Sequence, residues 1–162
     1  IRKRKKKKME LLKILIDNQQ KKKISTATIR QKTKQILNAL GCDAHEISLV
    51  MTDNNQIQEL NKTYRGIDKP TNVLAFPMQE GQFTDITPGL LGDVVISCET
   101  AQKEADEANI TFLERMSQLL IHGILHLMGF DHETSQSDAI KMETKGLELL
   151  RKLEPNKDLN IF

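Results

Sequence analysis

The chain has 162 residues, 38% of them hydrophobic and 28% charged, with a formal net charge of +2. That length suits one domain with a core of its own, and no apolar run reaches the roughly 18 residues of a membrane-spanning helix. Two distant cysteines, Cys42 and Cys98, with no CxxC pairing, argue against a disulfide framework and a cysteine-built zinc site, and suit a reducing cytoplasm.

The charge is uneven. Residues 1–8, IRKRKKKK, hold seven of the 24 Lys and Arg residues, which leaves 17 basic against 22 acidic residues, a net −5, over 9–162. A run of like charge repels itself and stays solvated. Such an arm can hold RNA phosphates by releasing counterions, but with the first methionine at Met9 and no apolar signal core behind it, it reads first as a disordered or appended end. Residues 9–162 read as a single domain.

The first expected element is a strand in ELLKILIDNQ, from its short apolar run. STATIRQKTKQILNALG follows as a helix, opened by Ser/Thr, closed by Gly41, and apolar at helical spacing through Ile29, Ile36, Leu37 and Leu40. EISLVMTD is β-branched and bounded by polar residues, hence a strand, and NQIQELNKTYR a short helix broken by GIDKP. TNVLAFP and LLGDVVIS read as two more strands, separated by a loop from Met78 to Gly89. Three helices complete the chain, beginning near Glu99, at Thr111 and near Ser135; the second carries the capping-box pair Thr111 and Glu114. The expected fold is α+β: one small mixed four-stranded sheet with about five helices on it.

The helix from Phe112 to Met128 is apolar nearly all round, which marks it as largely buried. One stripe differs: Arg115, Gln118, His122 and His126 recur at intervals of three or four residues. Three of the four histidines of the chain fall in HGILHLMGFDH, residues 122–132. Helical neighbours at i and i+4 aim His122 and His126 at one point, and Gly129, suited to the positive φ of a helix C-terminus, lets the chain turn back and bring His132 to the same point. Three imidazoles suit zinc or another first-row divalent ion and leave a fourth position open, as in catalytic sites. A lone histidine in an apolar helix is commonly just a core residue, but three unpartnered imidazoles would each cost about 1–3 kcal/mol to bury. Asp131 is placed either to close the fourth position of a structural site or to orient a ligand from behind.

The spacing overlays the metzincin protease pattern HExxHxxGxxH except that Gly123 replaces the glutamate, the usual general base. Peptide hydrolysis by the usual route is therefore disfavoured. Zinc can still lower the pKa of bound water to about 7, which suits a phosphodiester if a cation stabilises the added charge. Arg65, at a helix end before a glycine break, has the guanidinium geometry for phosphate; on physics alone, a solvated arginine complementing the helix dipole is the commoner case. Arg115, on the histidine stripe, and Lys69 are further cations for such a cleft.

HGILHLMGFDH and YRGIDKPTNVLAFP, with LLGDVVIS between them, resemble the signature blocks of the YbeY family of bacterial endoribonucleases. The resemblance spans the first strand to the last helix and omits the basic arm. It implies zinc ligands at His122, His126 and His132, a functional arginine at Arg65, and a small mixed sheet carrying the metal helix. It also implies cleavage of single-stranded RNA in small-subunit rRNA maturation and ribosome quality control, with the small subunit or its associated proteins as partners. Phe130 stands where a tyrosine is common in that family, and Ala75 where a serine is expected. The alternatives from other classes are an unconventional metalloprotease and a non-catalytic ribosome-associated RNA-binding module with a structural metal. An aromatic content of 4% speaks against a base-stacking platform for tight binding.

Overall fold

The computed structural model describes residues 12–42, 46–78 and 89–161, so the basic arm and most of the loop after Met78 lie outside the described residues. Among the described residues nine elements follow one another: β1 (Lys13–Asn18), α1 (Thr26–Ala39), β2 (Glu46–Thr52), α2 (Asn54–Arg65), β3 (Val73–Pro77), β4 (Leu90–Ser97), α3 (Cys98–Ala108), α4 (Phe112–Leu127) and α5 (Gln136–Leu153). The helix starts are set by local chemistry. Ser25, Asp53, Ser97, Thr111 and Ser135 each accept a backbone N–H of the first turn, and at Thr111 the Glu114 side chain returns the bond to complete the capping box. Among the described residues no helix is long and apolar enough to cross a membrane.

The strands form one sheet in the order β1-β2-β4-β3. β1, β2 and β4 run parallel, and β3 returns antiparallel along β4 as the edge strand opposite β1, pairing Val73 with Ile96 and Pro77 with Gly92. Strand alternation then sorts the side chains onto two faces. Ile47, Leu49 and Met51 of β2, with Val94 and Ile96 of β4, face the main core, which α1, α3, α4, α5 and the C-terminal Leu159 and Ile161 close. Val95 and Leu74 point the other way, onto Ile57 of α2, with Phe76 packed beside them. α2 thus covers one face of the sheet, while α4 sits on the opposite face.

Burying the side chains of α4 demands close approach. Of its 16 residues, ten are buried, and a Cβ placed on Gly123 would lie 2.7 Å from Val94 Cγ1 and 3.4 Å from Val73 Cγ2. Gly123 is therefore the point where the helix rests on β4 and β3. The position that distinguishes this sequence from the protease pattern faces the sheet, with no room for any side chain. One turn later Leu127 rests on Gly92, where an added Cβ would meet Phe76 O at 2.3 Å and Leu127 Cδ2 at 2.9 Å.

A buried polar tie also fixes the core helices. Lys32 of α1 donates to Ser117 Oγ on α4 at 2.8 Å and pairs with Glu154, the C-cap of α5, while Ser117 Oγ donates to Glu154 at 2.6 Å. Three helices converge on one ion pair.

Candidate metal centre

With Gly123 and Leu127 against the sheet, His122 and His126 turn to the half-exposed flank of α4. Their Nε2 atoms face each other at 3.1 Å. Two ligands of a tetrahedral zinc at 2.0–2.1 Å stand about 3.3 Å apart, so this spacing fits a shared ion. α4 then ends in a Schellman turn: Gly129 takes φ +92°, its N–H bonds to His126 O, and Phe130 N–H bonds to Leu125 O at 3.0 Å. The reversal brings back exposed His132, whose ring centroid lies 5.6 Å from that of His122 and 5.4 Å from that of His126. One nitrogen from each of the three histidines lies within 4.8 Å of the others, and no carboxylate of the described residues joins the group.

The environment favours the neutral form of the two rings on α4. Burial pushes His122 down to about 4, helped by the positive fields of His126, His132 and Arg115. His126 is lowered chiefly by burial and then by His132, against the opposing pull of Asp131, Glu133 and a hydrogen bond to the Phe130 backbone. Neutral imidazoles offer the lone pairs a metal needs. The bond to the Phe130 backbone fixes the His126 ring and leaves its Nε2 toward the centre, the usual way an outer contact orients a ligand. That contact comes from the main chain, so the departure from tyrosine at residue 130 leaves it untouched.

The other sequence candidates take distinct places. Asp131 Oδ1 accepts Glu133 N–H at 2.8 Å, so its carboxylate ties the turn that carries His132 and acts on His126 only through its field. Arg115 is on the histidine stripe as expected, but its charge is compensated. Its guanidinium pairs with Glu104 Oε1 at 3.1 Å and donates to Gln118 Oε1 at 2.7 Å. Arg65 is exposed at the last turn of α2, capped by Gly66 at φ +69°, on the sheet face opposite α4. Lys69 is exposed on the same stretch.

Sequence reading missed the network behind the stripe. Asn72, just ahead of edge strand β3, donates to Glu104 at 3.1 Å, Glu104 holds Arg115, Arg115 holds Gln118, and Gln118 donates to the carbonyl of Asn160. The chain of bonds holds the Arg115 and Gln118 half of the stripe and borders a cleft of about 610 Å³ between α3, α4 and the C-terminal segment. Only the recurrence of Arg115 and Gln118 on the stripe hinted at it; Asn72 and Glu104 are too far away in sequence to be associated with it.

Known proteins resemble this chain over most of its length. The sequence model of one family, described as endoribonuclease YbeY, matches residues 15–154. The endoribonuclease YbeY of Geobacter sulfurreducens is 46% identical over 145 residues, covering 88% of this chain and 97% of that protein. Those of Syntrophotalea carbinolica and Aquifex aeolicus are 44% and 42% identical, over 86% and 82% of this chain and 95% and 87% of theirs. A solution structure of a Thermotoga maritima protein superposes with a TM-score of 0.60 at 26% identity, covering 86% of this chain and 88% of that one. The chain belongs to the YbeY family of endoribonucleases, hydrolases that act on RNA.

Proposed function

We propose that this chain is a zinc-dependent endoribonuclease that cuts single-stranded RNA in the cytoplasm, with small-subunit ribosomal RNA as substrate and the small subunit or its associated proteins as partners. The observation that carries the reading is the convergence of His122, His126 and His132 at ligand spacing on a half-exposed flank. These three residues would hold the ion, and another first-row divalent metal suits the same donors. Bound there, zinc supplies Lewis acidity and activates water at neutral pH.

The remaining residues bind and position. Arg65, on the sheet face opposite the histidines, offers an exposed guanidinium to a phosphate of the RNA backbone and so holds the strand. Arg115, held by Glu104 and Gln118, adds a fixed positive field beside His122. Asp131 keeps the turn that presents His132. The protease alternative is weakened by Gly123, because the residue that would replace the missing base has no space against Val94.

The test compares wild type, His126→Ala and Arg65→Ala for metal content and for cleavage of single-stranded RNA. Loss of metal and cutting in His126→Ala, with loss of cutting alone in Arg65→Ala, supports these roles. Equal trace cutting in all three assigns the activity to a contaminant and removes the proposal.

A further inference from the structure

The stretch 62–70, the last turn of α2 and the turn after it, is exposed throughout and carries Lys62, Arg65 and Lys69 against one acid, Asp68. Within it stands Tyr64, 66% exposed although aromatic, with Ile67 also open to solvent. Exposure of a large ring at a helix end is usually unremarkable for an isolated residue. This ring is oriented. It meets Phe76 of β3 edge-on, at 5.1 Å between centroids and 63° between planes, which supports one edge and leaves much of the ring to solvent.

The place of this pair matters more than its exposure. Phe76 lies on the edge strand, and its carbonyl is at the point where Leu127 of α4, the residue after His126, rests on Gly92. Arg115, on the histidine stripe, is tied through Glu104 to Asn72 just ahead of the same strand. The histidine-bearing helix and Tyr64 therefore occupy opposite faces of one edge strand, with Arg65 next to Tyr64 in the chain. A strand of RNA that passes round this edge can place a phosphate on the histidine side and a neighbouring base on the far side.

Resting on the nuclease reading above, we infer that Tyr64 is a substrate-positioning residue that stacks a nucleobase of the single-stranded RNA, while Arg65 and the neighbouring lysines hold its backbone. An aromatic face with adjacent cations is the combination that binds single strands without strong sequence preference. The scarcity of aromatics in the chain is compatible with this role, because one stacked base fixes register without conferring tight binding. Duplex RNA has no free base face to offer, so the same contact favours single strands.

The chain has one tyrosine and no tryptophan, so its tyrosine emission reports on residue 64 alone. Metal-loaded protein is titrated with a short fluorescein-labelled single-stranded oligoribonucleotide, with the same strand made abasic, and with a duplex; RNA binding is followed by anisotropy in parallel. The intact single strand is expected to quench the tyrosine emission in step with binding, and the abasic strand to bind without quenching. Tyr64→Leu should weaken binding of the intact strand roughly 5- to 150-fold, the span found on removing a stacked aromatic. Tyr64→Phe should stay close to wild type, and metal content and melting temperature should be unchanged in both variants. Binding with unaltered emission, absence of RNA binding, or Tyr64→Leu binding as tightly as wild type overturns the inference. Quenching by RNA that is never cut leaves this contact standing while removing the nuclease reading, so the two can fail separately.

Discussion

Replacing Gly123 by alanine sets two opposed effects against each other, and the structure decides which wins. Alanine in a helix interior is favoured over glycine by about 1 kcal/mol. Against that, the new Cβ would stand 2.7 Å and 3.2 Å from the two methyls of Val94 and 3.4 Å from Val73 Cγ2. Val94 is wholly buried in an inner strand of the sheet, and its β-branched side chain is stiff at χ1. Overpacking costs about 1–3 kcal/mol, and striking both methyls of a buried valine belongs in the upper part of that range, about 2–3 kcal/mol; the net is a loss of about 1–2 kcal/mol, or roughly 2–8 °C in melting temperature at this chain length. Thermal and urea unfolding of Gly123→Ala should show it. In a Val94→Ala background the same substitution should become neutral or stabilising, because the methyls it strikes are gone. A Gly123→Ala variant as stable as wild type would mean that α4 does not rest on β4 as described. Gly123→Glu, which restores the protease sequence pattern, adds far more volume at the same point and should give unfolded protein without peptidase activity.

Two further outcomes follow from other parts of the structure. His122 titrates near 6.5 when unfolded and is held at about 4 when folded, so the unfolded state takes the proton first as pH falls. Its contribution is complete above about pH 6.5 and is lost from there down to 4, about 3 kcal/mol in metal-free protein; the difference between wild-type and His122→Gln stabilities across that range isolates it, and a difference independent of pH would contradict it. Lys32→Met leaves Glu154 and Ser117 facing each other without the ammonium, with side chains of the ion pair only 12% and 10% exposed. Urea unfolding should register a loss of about 3–5 kcal/mol, most of it regained in the Lys32→Met/Glu154→Leu double variant; a single variant as stable as wild type would show that the pair is effectively solvated.

Much of the fold was legible because local chemistry and periodicity agreed. The caps at Ser25, Thr111 and Ser135, the glycine stops at 41, 66 and 129, and the short β-branched and apolar runs in EISLVMTD and LLGDVVIS each fixed an element without reference to the rest of the chain. The convergence of the histidines was equally local, since i, i+4 spacing and one glycine turn generate it. The layering was not legible. That α2 covers one face of the sheet while α4 lies on the other depends on which strand ends up at the edge, and β3 becomes the edge only through its pairing with β4.

The same limit applies to individual residues. Gly123 read as a missing base in the sequence, whereas its role as a contact with Val94 exists only once β4 lies beneath α4. Arg115 read as a free cation, but Glu104 compensates it from 11 positions earlier, on another helix. Tyr64 drew no notice because exposure and its contact with Phe76 are tertiary facts.

The most direct measurement is cleavage of single-stranded RNA by the wild-type chain before chelation, after complete removal of metal, and after restoring one equivalent of zinc, with metal content determined at each stage. Three histidines that hold the functional ion predict about one ion per chain, loss of cutting on its removal and recovery on its return, with no recovery in His126→Ala. Cutting that persists in metal-free protein, or that zinc restores equally to His126→Ala, would contradict the assignment of His122, His126 and His132 as the working centre.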